Sequence, residues 1–285
     1  MSFEKQHKEL TALCKKLLED GAVNAVVGFQ EGGVEGMSLP FILTDPADAN
    51  KLAWNNRCVP NLSQYLIGRQ GKTAITAKAC DARAVVSLIR ENQLKRDDVY
   101  IIGLACNGMV DSSGNPLNSC RECSVDIPPV HDVLIDYPGF EMSPKAGASA
   151  ELCNLDTSLA RFADEMDKCI LCFSCRQGCY GCYCNTCFMD RGEPNWQPTK
   201  PDRGAKMLYH LGRAMHLSGR CVECGACENN CASGVDIRYL IREATNFVDE
   251  LYGYRAGMDL EAESAMLSYA TGDREVGFLG GECDG

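Results

Sequence analysis

The residues with the most distinctive chemistry are the cysteines, of which there are nineteen in 285 positions. Seven of them lie between residues 169 and 187, in the segment CILCFSCRQGCYGCYCNTC. Two runs share the spacing C-x2-C-x2-C-x3-C, and their members are Cys169, Cys172, Cys175 and Cys179 in the first run and Cys221, Cys224, Cys227 and Cys231 in the second. Three closely spaced thiolates followed by a fourth are typical ligands of [4Fe–4S] clusters.

The two runs predict a pair of clusters that exchange their fourth ligand. The first three cysteines of a run hold one cluster, and the fourth reaches the other cluster. Set one is therefore expected to be Cys169, Cys172, Cys175 and Cys231. Set two is expected to be Cys179, Cys221, Cys224 and Cys227. Zinc is the alternative, but zinc sites use paired C-x2-C knuckles with four ligands each.

The quoted segment ends with cysteines that exceed the needs of two clusters, namely Cys182, Cys184 and Cys187. One interpretation is a further metal site completed by a remote cysteine. The other is that these residues are buried thiols beside the clusters. Isolated buried thiols are also the simplest interpretation of Cys14, Cys58 and Cys153.

A third group of cysteines is predicted by the elements around it. Residues 73–79 indicate a strand, 81–93 a helix with Asp81 at its N-cap, and 99–105 a buried strand, which together form a βαβ crossover. The cysteines that follow the two strands then leave the same edge of the sheet, and a C-x2-C knuckle can fold back over that edge. The members of this set three are Cys80, Cys106, Cys120 and Cys123. From spacing alone, a [4Fe–4S] cluster, a zinc site, and two buried thiols beside an unrelated knuckle all remain open.

The remaining pattern divides the chain into two domains and an arm. Residues 1–160 predict an α/β domain with a partly parallel sheet. Its further elements are a helix at 3–18, strands at 22–29 and 40–44, a short helix capped by Asp45, and a loop-rich section at 111–160. Residues 161–255 predict a mainly helical, two-cluster ferredoxin-like domain with helices at 205–217 and 235–252. Residues 256–285 predict an exposed C-terminal arm.

Composition and charge argue against several classes of partner. The formal net charge of −11 at pH 7 disfavours nucleic acid and anionic membranes. No segment is long and apolar enough for membrane insertion, and the charged start MSFEKQHKEL is unlike a targeting segment. We therefore expect a soluble, cytoplasmic protein whose cysteines bind metal rather than form disulfides.

Other residue types give weaker indications. His210 and His216 lie on the helix before the second run, with Arg203, Arg213 and Arg220 nearby. Basic groups near a cluster would raise its reduction potential, and the alternative is a solvated or packing helix face. The glycine-rich stretch GFQEGGVEGM lacks the order G-x-G-x-x-G of dinucleotide sites. No catalytic residue is assigned.

Residues 18–126 resemble the β subunit of the coenzyme F420-reducing hydrogenases and its relatives in formate dehydrogenases. The motifs that carry the resemblance are KACDARAVVSLIRE, GLACNGM and CRECS, together with the early segments LEDGAVNAVVGF and CVPNLSQYL. The resemblance implies one [4Fe–4S] cluster on Cys80, Cys106, Cys120 and Cys123. The later segment RCVECGACENNC is similar to electron-transfer subunits of heterodisulfide reductase type.

Together, the spacing of the two runs and the resemblance predict an iron–sulfur electron-transfer subunit with three [4Fe–4S] clusters and with catalytic and flavoprotein subunits as partners. The complex would be an anaerobic formate dehydrogenase, hydrogenase or heterodisulfide reductase-type enzyme. The alternative is a subunit that binds FAD and oxidises or reduces the deazaflavin coenzyme or another hydride carrier. Two regions that help to form the family's flavin pocket are shorter in this chain: the glycine-rich start, and the thirteen residues between Cys106 and Cys120. A zinc-structured scaffold is a third hypothesis.

Overall fold

Five strands form a mixed sheet in the computed structural model, which describes residues 2–33, 36–136, 155–193, 200–265, 268–269 and 271. The strands are β1 (Ala25–Glu31), β2 (Ser38–Leu43), β3 (Thr73–Ala77), β4 (Val99–Leu104) and β5 (Val133–Ile135). Their order across the sheet is β2-β1-β3-β4-β5. β2 runs antiparallel to β1, and the other neighbours pair in parallel. The predicted α/β character of the first domain is confirmed.

Helix α1 (Ser2–Glu19) matches the helix predicted at 3–18, and its apolar face is buried in the main core. The Gln6 side-chain amide donates to the carbonyl oxygens of Ala105 and Ile135, at 3.0 and 3.1 Å. Its Oε1 atom accepts from Trp54 Nε1 at 2.9 Å. A buried glutamine thus ties α1 to the carboxyl ends of β4 and β5, the edge of the sheet that carries cysteines.

The predicted βαβ crossover joins β3 to β4 through helix α2 (Ala79–Arg90). The two strands pair in parallel, with Ile75 opposite Ile101. All five residues of β3 are buried, as expected for a strand covered on both faces. The carboxyl ends of β3 and β4 therefore lie side by side, and Cys80 and Cys106 follow them at the same edge.

Asp81 is not the N-cap that the sequence predicts, because α2 already begins at Ala79. Its carboxylate accepts from the backbone N of Lys78 at 3.0 Å and of Leu62 at 2.9 Å. It also pairs with the Lys78 ammonium at 2.8 Å, and both side chains are almost fully buried. Asp81 caps the helix by reaching back from its first turn, which is the role of the acidic residue in a capping box.

The section at 111–160, predicted as loop-rich, contributes three elements. Helix α3 (Asn118–Arg121) is a single turn, β5 extends the sheet, and helix α4 (Leu155–Lys168) begins before the predicted domain boundary at 160. Elements of three or four residues are too short to show a hydrophobic period. Residues 137–154, which include Cys153, lie outside the described part of the chain.

The part of the chain predicted as the second domain, residues 161–255, consists mainly of helices. After α4 come α5 (Ser174–Gln177), α6 (Arg203–Leu217), α7 (Ala226–Asn229) and α8 (Ile237–Tyr252). α6 packs against both α4 and α8. The side chains of Asp202 and Asp236 cap α6 and α8 by accepting from backbone amides. Within the described ranges, no helix combines the length and the apolar surface needed to cross a bilayer.

Helix α2 also packs against the part of the chain predicted as the second domain. Its residues Ala84 and Leu88 belong to a buried cluster whose other members are Tyr180, Val222 and Ala256. The first residues of the predicted arm therefore contact α2, and most of residues 256–285 lie outside the described part.

Candidate metal centres

Two loops of the second domain have the same backbone conformation. Leu171 and Phe173 have positive φ angles of 52° and 61°, and Glu223 and Gly225 have 59° and 73°. In each run these residues stand two and four positions after the first cysteine, and the short helix α5 or α7 follows. For a residue other than glycine, this left-handed conformation costs about 1 to 3 kcal/mol, and such strain clusters at functional sites.

Backbone amides point at sulfur atoms in both loops. Leu171 N donates to Cys169 Sγ at 3.3 Å, and Glu223 N donates to Cys221 Sγ at 3.3 Å. A hydrogen bond to sulfur favours the thiolate over the thiol, because the donor stabilises the negative charge. The strained loops are thus arranged to hold charged sulfur.

The four cysteines of set one line a single cavity, together with Tyr209 and His210 of α6. His210 Nε2 lies 3.3 Å from Cys169 Sγ. Burial, with a smaller contribution from the charge of Arg213, lowers the pKa of His210 to about 4. The imidazole is therefore neutral near pH 7, and an Nε2–H tautomer can donate to the sulfur.

The cysteines of set two lie together where the two runs meet. Cys221 interacts electrostatically with the three other members of the set. Burial raises the pKa of Cys224 to about 12 and that of Cys227 to about 11. Without metal these thiols are protonated near pH 7, so metal binding would release protons.

Set three lies at the edge where β3 and β4 end. Cys106 interacts electrostatically with the three other members. Gly108 N donates to Cys106 Sγ and Met109 N donates to Cys120 Sγ, both at 3.3 Å. Burial raises the pKa of Cys106 to about 12. The donors and the buried thiols repeat the pattern seen in the two runs.

One cavity joins set three to set two. It is lined by Cys80, Cys120 and Cys123 of set three and by Cys224 of set two. Cys80 and Cys224 also interact electrostatically. Metal centres on these two sets would therefore be immediate neighbours.

Every cysteine in the described part of the chain is a free thiol, so all twelve members of the three sets are available as ligands. Among the same residues, no three His, Cys, Asp or Glu side chains are arranged to hold a single metal ion. Thiolates around one zinc ion lie about 2.3 Å from the metal. A [4Fe–4S] cluster binds each thiolate through a different iron and needs its ligands farther apart.

Two buried arginines adjoin the sets, and the sequence pattern singled out Arg213 but not Arg83. Burial opposes the charge of Arg213, but Cys179 and Cys227, when they are ionised, raise the pKa of Arg213 above the ordinary value. Arg83 follows Cys80 by one helical turn, a spacing that could have drawn attention to it. The other basic residues noted in the sequence have separate contacts: Arg203 with Asp167, Arg220 with Glu91, and His216 with the Phe188 ring.

Cys182, Cys184 and Cys187 line one cavity of about 250 Å³ beside set two. The Cys182 side chain hydrogen-bonds to Cys179, which lowers the pKa of Cys179. Cys184 is exposed, and Cys187 is half-buried. The fold thus gathers the three surplus cysteines, and a further metal site on them stays a prediction.

The known proteins that match this chain include two β subunits of F420-dependent formate dehydrogenases. The chain is 21% identical to the F420-dependent formate dehydrogenase subunit beta of Methanocaldococcus jannaschii, over 88% of this chain and 91% of that protein. That alignment spans 356 residues, more than the 285 of this chain, so the relative has segments that this chain lacks. The chain is 35% identical to the F420-dependent formate dehydrogenase 1 subunit beta of Methanococcus maripaludis, over 35% of this chain and 27% of that protein. No family model matches the sequence.

These matches agree with the motifs KACDARAVV, GLACNGM and CRECS, whose cysteines the fold brings to one edge of the sheet. The match to the first relative extends over most of both chains. The resemblance found in the sequence is therefore confirmed: the chain is similar to β subunits of F420-dependent formate dehydrogenases.

Proposed function

We propose that this chain is an iron–sulfur electron-transfer subunit of a multi-subunit oxidoreductase. Three [4Fe–4S] clusters, one on each cysteine set, would supply one-electron chemistry at potentials that proteins tune between about −700 and +450 mV. Two relatives are named as β subunits of F420-dependent formate dehydrogenases. On that basis the proposed partners are a formate-oxidising catalytic subunit and a flavoprotein subunit.

The observation that carries the proposal is the cavity that Cys224 of set two shares with set three. Sets two and one are also adjacent, because Cys179 and Cys227 of set two and Cys175 of set one all surround Arg213. The three sets thus follow one another through the protein. A relay of single electrons needs such closely spaced centres.

The surroundings of the thiols fit iron–sulfur clusters. Each set provides four thiols, which is the usual ligand number of a [4Fe–4S] cluster. Amides of Leu171, Glu223 and Gly108 donate to ligand sulfurs. Buried apolar side chains such as Val235 and Ile237 line the inner side of the set-one cavity, whereas Cys172 lies at its exposed side. The residues of the chain would hold the clusters, hydrogen-bond to their sulfurs and shield them.

The test is the iron and acid-labile sulfide content of the chain purified without oxygen. We expect about twelve irons per chain, four for each set, and an EPR signal after reduction with dithionite. Cys224→Ser is expected to lose about four irons. Cys58→Ala is the matched control, since Cys58 is a buried thiol outside the three sets, and it is expected to lose none. A chain without iron, or with zinc in place of iron, would overturn the proposal. An iron content of about eight per chain would show that set three holds no cluster.

A cavity of about 560 Å³ at the carboxyl end of β1 favours a second candidate function, flavin-dependent oxidation or reduction of a hydride carrier. Cavities of this size hold cofactors, and this edge of an α/β sheet is where ligands bind. Its lining is poorly suited to a pyrophosphate, because Lys51 pairs with Asp48 while Glu4 and Glu31 add negative charge. Acid release of the bound chromophores tests this function: one flavin per chain would support it, and its absence would count against it.

A further inference from the structure

A buried arginine lies between set three and set two. Arg83 of α2 is 3% exposed and lines the cavity that the two sets share. Its Nε donates to the carbonyl oxygen of Ala256 at 3.0 Å, and its Nη1 donates to that of Val222 at 3.3 Å. These bonds fix the plane of the guanidinium. Its Nη2 is buried and has no hydrogen-bond partner among the described residues.

A second buried arginine lies between set two and set one. Arg213 of α6 is 4% exposed, and its Nη2 donates to the carbonyl oxygen of Cys175 at 2.9 Å. It interacts electrostatically with Cys179 and Cys227 of set two and with Cys175 of set one. Its Nε and Nη1 are buried and have no oxygen acceptor in the described part of the chain, so the sulfurs of Cys179 and Cys182 are the groups that the guanidinium meets. Each boundary between neighbouring sets therefore contains one incompletely bonded guanidinium.

Unpaired buried charge is costly, so these two arginines need an explanation. A guanidinium stays protonated in proteins, and a buried N–H without an acceptor loses its hydration with no bond in return. Arg238, the third arginine that is almost fully buried in the described part of the chain, pairs with the carboxylates of Glu122 and Glu228. No acidic partner of Arg83 or Arg213 occurs within the described ranges. The cavity that Arg83 lines also contains Glu122 and Glu223, but these carboxylates already pair with other arginines, namely Arg238, Arg242 and Arg255. The cysteines are therefore the groups left to face Arg83 and Arg213, and a cluster on four thiolates carries the negative charge that is missing.

We propose that Arg83 and Arg213 are fixed counter-charges that raise the reduction potentials of the clusters on either side of each boundary. This inference rests on the proposed electron-transfer function. Reduction adds one electron to a cluster, breaks no bond and makes its charge more negative. A nearby buried cation therefore stabilises the reduced state more than the oxidised state. Because each arginine adjoins two sets, each acts on a neighbouring pair.

The test is an EPR-monitored reductive titration of the full chain with dithionite in the absence of oxygen. Arg83→Gln is expected to lower the potentials of sets three and two, and Arg213→Gln those of sets two and one. Each shift is expected to reach at least tenfold in the reduction equilibrium, about 59 mV for one electron. Iron content should remain that of the wild type. Arg83→Lys and Arg213→Lys keep the charge and are expected to recover most of the shift.

Two arginines on the same helices serve as matched controls. Arg90 lies about two turns beyond Arg83 on α2. It donates to the carbonyl oxygen of Leu260 at 3.0 Å, and its Nε is also buried without a hydrogen-bond partner among the described residues, so it makes the same kind of tether. Arg203 lies on α6 and pairs with Asp167. Neither lines the cavities of set one or set three. Arg90→Gln and Arg203→Gln are expected to leave all potentials unchanged.

A second variant covers the case in which Arg83→Gln does not hold iron. Ser119 is buried in the same cavity, and its hydroxyl has no partner among the described residues. Ser119→Asp would offset the charge of Arg83 with the arginine still present, and the same two potentials should fall. Unchanged potentials in iron-replete Arg83→Gln or Ser119→Asp would overturn the inference and leave the relay standing. A wild-type chain without iron would overturn both.

Discussion

Arg220 and Glu91 form a two-pronged ion pair across the domain interface, with 2.6 Å between Nε and Oε1 and 2.5 Å between Nη2 and Oε2. Tyr183 donates to the same carboxylate at 2.7 Å. The two charged side chains are only 20% and 13% exposed. Charge-assisted bonds in such a position are stronger than those of exposed pairs. The network fastens the C-terminal end of α2 to the segment that precedes the second run.

We expect Glu91→Ala to weaken the docking of the two domains. The change leaves Arg220 half-buried without its counter-charge, and the expected loss is about 2 to 3 kcal/mol in the free energy of unfolding. Anaerobic thermal denaturation followed by circular dichroism would measure it as a lower midpoint. Glu19→Ala is the control, because its pair with Lys15 is about half exposed, and it should change stability by less than about 0.5 kcal/mol. Equal midpoints for the two variants would contradict the expected docking role.

The buried ion pair of Lys78 and Asp81 supports the turn that carries Cys80. Asp81→Ala would leave the Lys78 ammonium buried and unpaired, which costs about 3 to 5 kcal/mol. We expect a lower unfolding midpoint and the loss of the iron on set three. Asp45→Ala is the control: it removes only a surface cap on Ala47 N, and it should cost about 1 kcal/mol and no iron. Wild-type iron content in Asp81→Ala would show that set three does not depend on this pair.

The sequence predicts the features of this protein that have local signals. β3, α2 and β4 show clear hydrophobic patterns, and the cysteine spacings indicate which thiols lie together. β5 and α3 are too short for a period, and β5 is a strand because β4 offers it an open edge. The role of Asp81 is decided by the Leu62 amide, nineteen residues away in sequence. The general preference of Asp for N-cap positions cannot reveal a contact with a residue so far away in sequence.

The contacts of Arg83 are even harder to predict from local sequence patterns. Its two acceptors are carbonyl oxygens 139 and 173 residues away in sequence, in Val222 and Ala256. Only the packing of the second domain against α2 brings them together. Arg213, in contrast, lies on a helix next to the second run, so sequence position alone indicated that it would be near a cluster.

Removing iron is expected to loosen the two cysteine loops. The amides of Leu171 and Glu223 donate to ligand sulfurs from strained, left-handed positions. Neutral thiols accept hydrogen bonds more weakly than thiolates, so the amide-to-sulfur hydrogen bonds that stabilise the two loops become weaker when iron is removed. Hydrogen exchange of peptides from 169–179 and 221–231 should become at least tenfold faster after anaerobic chelation. Peptides from β3 and β4 are the internal control, and unchanged exchange in both runs would mean that the loops are stable without metal.

Cys182 and Cys184 offer a matched pair for the surplus cysteines. Cys182 hydrogen-bonds to Cys179 of set two, whereas Cys184 is exposed. Cys182→Ala is expected to keep all the iron but to make the potential of set two more negative, because a donor to a ligand sulfur is lost. Cys184→Ala should leave every cluster signal unchanged. A loss of iron in either variant would instead favour a ligand role for the altered cysteine.

The contact between Gly225 and Ser119 makes the second run dependent on the first domain. Gly225 stands where the first run has Phe173, and both residues have positive φ angles. A side chain is tolerated in the first run, but a Cβ on Gly225 would lie 2.6 Å from the Cβ of Ser119 in α3. Gly234, at φ +62°, has no atom within 4 Å of the corresponding position.

We therefore expect Gly225→Ala to be far more damaging than Gly234→Ala. Both changes add left-handed strain of about 1 to 2 kcal/mol, but the first also pushes α3 away from the second run. Because Cys224 and Cys120 are the chain neighbours of Gly225 and Ser119, this displacement should disturb set two and set three together. Iron content and the thermal midpoint would measure the difference. If the two alanine variants lost the same stability and neither lost iron, close packing of α3 on the second run would not be needed to hold the two sets.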